Sequence, residues 1–247
     1  MSEYLHSEQR GAVRVLTIDR PDSKNALHGP LRIALCEAIA DADRDDAVRA
    51  VVLTAVDPVF SAGVDYKQLD AAAGSPEINP AAAARAARKP VICAVNGACV
   101  SGALEIALSC SFIIASTRAR FADTHALLGV VPAWGLTALL PRAIGVRAAR
   151  QLSITGAFVD ADTALRLGLV NHVVPHTDLL PFTLDLAQRI PATAAVGELL
   201  ELYARGAELS PSGALAAEAA HSRGRTYDLE AFTAAGSATA ARQRGRA

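Results

Sequence analysis

The sequence predicts an α/β fold, and three observations carry that prediction. Val13, Leu16 and Ile18 within GAVRVLTID mark a strand, bounded by the turn-rich loop RPDSKNAL. Leu31, Ala34, Leu35, Ala38, Ile39 and Ala42 then recur at helical spacing over Leu31 to Asp43. A second strand, Ala50 to Val56, follows an acidic loop. A strand, a helix and a strand in that order need a crossover connection, which pairs the strands in parallel.

The rest of the chain is organised around Lys89 to Leu140. Pro90 to Val95 reads as a short buried strand, because an apolar run sits between a proline and the Asn96-Gly97 turn. Ser101-Gly102 then opens a helix in which Leu104, Ile106, Ala107 and Leu108 are apolar and Glu105 is not. A carboxylate at the start of an apolar helix is costly to bury, so it is paired, protonated or chemically active. Gly102, one turn earlier, offers a backbone N–H at the positive end of the helix with no side chain in the way. A carboxylate beside an anion-receiving amide points to proton chemistry on a carbonyl compound; the plainer alternative is a capping glycine and a structural ion pair.

Elsewhere, VFSAGVDYKQL contains the small-residue turn Ser61-Ala62-Gly63, with Asp65 where a helix would start. Small residues let a ligand approach the main chain, so the N–H groups near Ala62 become candidate donors. Residues 70 to 84, low in complexity and containing Gly74, Pro76 and Pro80, read as a mobile surface segment. Phe112 to Ala115 makes another short strand. His125 follows in FADTH as the second ionisable residue of an apolar neighbourhood, with Trp134 as a wall or packing residue beyond it. A helix begins at Gly135-Leu136. Asp160 caps another helix that ends at Gly168, and Leu169 to Val174 closes the series of strands. From Asp178 onward the pattern is helical, so residues 1–185 form the expected core and residues 186–247 a C-terminal helical segment.

Composition limits the function classes. Hydrophobic residues make up 51% of the chain and aromatics 4%, which favours close helix packing over an aromatic core, and a net charge of −1 gives no electrostatic case for nucleic acid. Without an apolar block at the N-terminus the expectation is a cytoplasmic protein. The apolar run from Val91 to Ala115 is no membrane span: two glycine turns interrupt it, and Glu105 near mid-bilayer would cost roughly 2.5 to 3.5 kcal/mol. Cys36, Cys93, Cys99 and Cys110 show neither metal-ligand spacing nor a disulfide framework, so no metal is expected.

RPDSKNAL, FSAGVD, KPVICAVNGACVSGALEIALSCS, FADTHALLGVVPAWG and TGAFVDADTALRLGLVNHVV occur in this order, and together the chain resembles the enoyl-CoA hydratase/isomerase, or crotonase, family. The resemblance implies a crotonase-like spiral of ββα turns with a C-terminal helical trimerisation segment, a homotrimer or dimer of trimers, and a 2-enoyl-CoA thioester of fatty acid metabolism as substrate. It implies no cofactor beyond the coenzyme A of that substrate. Carried over by position, the oxyanion hole falls on the N–H groups of Ala62 and Gly102. Coenzyme A falls on Lys24, Ala26, Ala62, Val64, Asp65 and Tyr66. Glu105 matches one of the two glutamates that flank a water in hydratases, and His125 stands in place of the second. Near the tail, Ala240 replaces an aromatic that commonly stacks on the nucleotide, while Arg244 keeps a positive charge.

The expected activity is therefore that of an enoyl-CoA hydratase-like lyase, with Glu105 as base and His125 as proton donor. Two alternatives follow from the histidine. One is an acyl-CoA binding protein with little or no turnover. The other is a hydrolase in which His125 activates Ser101, for which a third group must orient the histidine; Asp123 is too near in sequence to be an obvious orienter. Leu104, Leu127, Leu128 and Trp134 are candidates for the acyl pocket.

Overall fold

The computed structural model describes residues 3–68, 78–223, 225, 233 and 236. The chain opens with a hairpin, β1 (Leu5–Arg10) and β2 (Val13–Ile18), and α1 (Gly29–Arg44) carries it across to β3 (Ala50–Ala55). After α2 (Pro80–Ala86) come β4 (Val91–Val95), β5 (Ala98–Val100) and α3 (Gly102–Ser109). Next are β6 (Phe112–Ser116), β7 (Arg120–Ala122), α4 (Leu136–Ile144), α5 (Val146–Thr155), β8 (Val159–Asp160), α6 (Ala161–Leu167) and β9 (His172–Val174). α7 (Leu179–Gln188), α8 (Ala194–Gly206) and α9 (Pro211–Ser222) complete the described elements.

Two sheets form, ordered β1-β2-β3-β4-β6-β9 and β5-β7-β8. β2 pairs antiparallel with β1; from β2 to β9 every neighbouring pair in the larger sheet is parallel. Two turns of the chain lay one strand in the larger sheet, cross to the smaller, and return through helix. Thus β4 is followed by β5 and α3, and β6 by β7 and the helices after it. This is the spiral of ββα turns, and its C-terminal part is helical, as expected.

Both faces of the large sheet are covered, which explains the uninterrupted apolar runs in its parallel strands. Val51, Leu53, Val91, Cys93 and Val95 join one core with Leu31, Leu35 and Ile39 of α1. The alternate residues Ala50, Val52, Ile92 and Ala94 face a second core with Leu179 and Ala187 of α7. Gly97, between β4 and β5, is required there because a Cβ at that position would lie 2.3 Å from the Pro58 carbonyl oxygen.

Several boundaries differ from the sequence reading. β1 carries polar residues on its exposed positions and shows too little alternation to be read as a strand, yet its partner β2 holds it in register. Only His172–Val174 of the expected strand from Leu169 pairs with β6; Leu169 and Val170 instead join the core beside α6. Part of the expected surface segment forms α2, whose Ala81 and Ala84 are buried. Residues 69–77 lie outside the described residues, as do Ala240 and Arg244. The compact units are Met1–Leu200 and Glu201–Ala247, so the division falls beyond residue 185, which lies inside the sheet-covering α7. Among the described residues no helix is long and apolar enough to cross a membrane, and no group of three or more His, Cys, Asp or Glu side chains could hold a metal ion.

Candidate active site

The site is assembled where the two sheets adjoin. Ser61 bridges to Cys99 of β5, its N–H donating to the Ala98 oxygen and its own oxygen accepting from Val100 N–H. The Ser61–Asp65 loop therefore runs alongside the strand that leads into α3. At Ser101 the backbone takes φ 50° and ψ −110°, a region that side chains rarely adopt, and this sharp turn starts α3. The Ser101 N–H is held by the Ala122 oxygen, which fixes the turn against β7.

Gly102 N–H, as the first of the helix, has no acceptor within α3. Its neighbour is Val64: a Cβ at Gly102 would stand 2.9 Å from Val64 Cγ2 and 3.4 Å from Val64 N. Leu27 pairs with Val64 as a parallel bridge, donating to the Gly63 oxygen and accepting from Asp65 N–H. That pairing turns the N–H of the intervening Val64 away from Leu27, on the side where Gly102 lies. The expected donor Ala62 does not take this part. Its N–H donates to the Lys24 oxygen at 3.0 Å, so it is already satisfied within the chain. Gly63, between Ala62 and Val64, takes a left-handed φ of 91° and breaks the extended alternation, so the amide that converges on Gly102 is that of Val64. Periodicity-based reading could have found it only by knowing that Leu27 would be the pairing partner.

Glu105 lies in the first turn of α3, three residues on from Gly102, and is 2% exposed. Its Oε1 accepts from Trp134 N–H at 2.7 Å and Leu136 N–H at 3.2 Å. Those donors come from the start of α4, which Arg85 of α2 braces by donating to the Trp134 oxygen (2.9 Å) and to Ser109 Oγ (2.6 Å). Burial raises the Glu105 carboxyl above its ordinary value, and the two amides and the His125 ring oppose that rise without cancelling it. Oε2 is left facing His125 Nε2 at 3.8 Å, too long for a direct hydrogen bond and suited to a bridging water.

His125 and Glu105 are thus brought together, as expected. The orienting group is the surprise: Asp123 Oδ1 lies 2.6 Å from His125 Nδ1 and also accepts from the His125 N–H at 3.2 Å. Nearness in sequence is no obstacle, because the chain leaves β7 and turns back into a short 3-10 turn at Ala126–Leu128, folding residue 125 over residue 123. Burial pushes the Asp123 carboxyl up, but hydrogen bonds from the His125 ring, Ser153 and the His125 N–H outweigh it and hold it below the ordinary value. Ser101 is not joined to this pair. Its Oγ lies 2.8 Å from Thr124 Oγ1 and accepts from Thr124 N–H, while the two ring nitrogens of His125 face carboxylates. The serine–histidine contact that a hydrolase needs is absent among the described residues.

Around the cradle, Lys24 is exposed and left-handed (φ 53°), Ala26 is half-buried, and Tyr66 is exposed. Asp65 turns inward: its carboxylate accepts from Arg20 Nη1 at 2.7 Å, both side chains being about nine-tenths buried. The Trp134 ring stands beside Gly102, its Cζ3 3.3 Å from a Cβ built there, with the Arg32 guanidinium 4.9 Å from the ring centroid. Leu104 is wholly buried in the core, whereas Leu127 and Leu128 are largely exposed.

Comparison with known proteins identifies the family. Residues 8–226 match the family described as enoyl-CoA hydratase/isomerase. The chain is 36% identical over 227 residues to the short-chain-enoyl-CoA hydratase of Clostridium acetobutylicum, covering 85% of each chain. The crystal structure of an enoyl-CoA hydratase from Mycobacterium avium superposes with a TM-score of 0.77 at 44% identity, covering 90% of this chain and 96% of that one. A Bacillus anthracis enoyl-CoA hydratase gives a TM-score of 0.85 at 27% identity, covering 94% and 96%.

Proposed function

Because the chain belongs to the enoyl-CoA hydratase/isomerase family, we propose that it adds water across the double bond of a 2-enoyl-CoA thioester. The observation that carries the reading is the split use of the Glu105 carboxylate. One oxygen is anchored by two amides, and the other faces His125 across a gap that a water can bridge.

The thioester oxygen is held by the N–H groups of Val64 and Gly102. As water adds to C3, the C2–C3 π electrons move toward the thioester and negative charge gathers on that oxygen. A pre-aimed amide is worth about 2.7 to 4 kcal/mol at such a charge. Glu105 takes the proton from the attacking water, and the raised carboxyl makes it a stronger base than an exposed glutamate once ionised. His125 in its protonated form gives a proton from Nε2 to C2. An imidazole carries a proton near neutral pH more readily than a carboxylate does, which suits it to this half of the reaction. The proton gained by Glu105 returns to His125 through the gap between them, so both groups are reset. The cycle is redox-neutral and needs no cofactor.

The Lys24–Ala26 loop and the Val64–Tyr66 segment carry the coenzyme A. Lys24 supplies charge, whereas Asp65 braces the loop through Arg20. The chain works as a homotrimer or a dimer of trimers in the cytoplasm, in fatty acid metabolism; sedimentation of the purified protein tests its assembly. The activity test follows loss of the conjugated absorbance of crotonyl-CoA and of a longer 2-enoyl-CoA. Loss with either substrate supports the reading, and no loss with both overturns it.

A further inference from the structure

We propose that Asp123 is the positioning residue that makes His125 serviceable in place of a second carboxylate. This rests on the hydration reading above. A neutral imidazole has two tautomers, and only the one with its proton on Nδ1 leaves Nε2 free to exchange a proton with the substrate. Asp123 selects that form. Its Oδ1 lies 2.6 Å from Nδ1, its side chain is 1% exposed, and the His125 side chain is 13% exposed, so little water competes for the contact.

The surroundings leave the aspartate no other evident task. Among the described residues it makes no recorded ion pair with lysine or arginine, and its hydrogen-bonding partners are the His125 ring, the His125 N–H and Ser153 of α5. The charged groups recorded against the ring are Asp123 on one side and Glu105 on the other, at 3.8 Å from Nε2. The arrangement fixes the ring plane so that Nε2 points toward Glu105. A glutamate at position 125 would need no such partner, because either of its oxygens can carry the proton.

Three measurements test this. First, Asp123→Asn in the otherwise intact chain lowers kcat for crotonyl-CoA hydration by up to about a hundredfold, the cost of a misplaced catalytic group, with little change in KM. Second, the same substitution made on His125→Ala has almost no further effect, since Asp123 acts through the ring. Third, nitrogen NMR of the wild-type histidines shows Nδ1 of His125 keeping its proton across the working pH range, a measurement that does not depend on any variant folding. An unchanged kcat, an additive loss on His125→Ala, or a bare Nδ1 overturns the assignment. If the wild type fails to hydrate, the hydratase reading falls instead, and the NMR result then decides whether Asp123 holds the ring.

Discussion

Glu105→Gln separates the chemistry of this site from its architecture. The amide oxygen of glutamine can still accept from Trp134 N–H and Leu136 N–H, so the anchoring at 2.7 and 3.2 Å is retained. What disappears is the oxygen that takes the proton. General acid–base groups contribute about 10² to 10⁴ in rate, which corresponds to roughly 2.7 to 5.4 kcal/mol of transition-state stabilisation. The fall should appear in kcat and kcat/KM together, because the lost interaction belongs to the transition state. Stability should move the opposite way. Burial raises the folded-state Glu105 carboxyl above its unfolded value. Its stability contribution is therefore fully present below the unfolded value and is lost as pH rises through the folded one. Glutamine cannot ionise, so the variant should melt higher than the wild type at neutral pH, and the difference should close in acid. The assay pairs crotonyl-CoA hydration with thermal melts across that pH range. Turnover equal to wild type would remove Glu105 from the mechanism, and a lower melting temperature at neutral pH would refute the account of its burial.

Other substitutions address the cradle and the loops that hold it. Gly102→Ala places a methyl 2.9 Å from Val64 Cγ2 and 3.4 Å from Val64 N, wedging apart the two proposed donors. Hydration should fall by about a hundredfold or more, since one such donor is worth about 2.7 to 4 kcal/mol, and the melting temperature should drop as the Val64 and Trp134 side chains give way. Arg20→Met leaves the buried Asp65 carboxylate without its guanidinium; urea unfolding should show a loss of roughly 3 kcal/mol, relieved when Asp65→Asn is added. Asn25→Ala removes a fully buried amide that donates to the Val56 and Val59 oxygens at 2.9 and 2.7 Å, and it forces alanine into a left-handed backbone (φ 54°). A loss of about 2 kcal/mol or more follows, again read by urea unfolding. Asp57 is held below its ordinary value chiefly by Asn96 and, against the opposing effect of burial, by His176. Its contribution to stability is present above the unfolded carboxylate value and is lost as pH falls through the folded one, so Asp57→Asn should flatten the acid side of the Tm profile.

Much of the architecture was legible because its signals are local. The run Val91–Val95, the helical spacing from Leu31 to Ala42 and the aspartate cap at Asp160 each state an element within a few residues, and each element formed. Glu105 stood out for the same reason: one carboxylate in an apolar helix start is anomalous wherever that helix lies. β1, by contrast, is a strand only because β2 offers it an edge, and Leu169–Val170 left the strand pattern because the core beside α6 took them.

The amino-acid sequence alone therefore determined the apolar strands β2, β3, β4 and β6 with α1 and α3 between them, the glycine that bares an amide at the start of α3, and the pair Glu105 and His125. Tertiary structure decided the partners. Val64 rather than Ala62 faces Gly102 because Lys24 and Leu27, far along the chain, claim the Ala62 and Asp65 amides and leave that of Val64 turned the other way. Asp123, dismissed by its closeness to His125, became its partner because the turn after β7 folds the chain back on itself. Hydrogen bonds are directional and short-ranged, so which donor meets which acceptor depends on where distant backbone segments come to lie, and residue spacing carries no record of that.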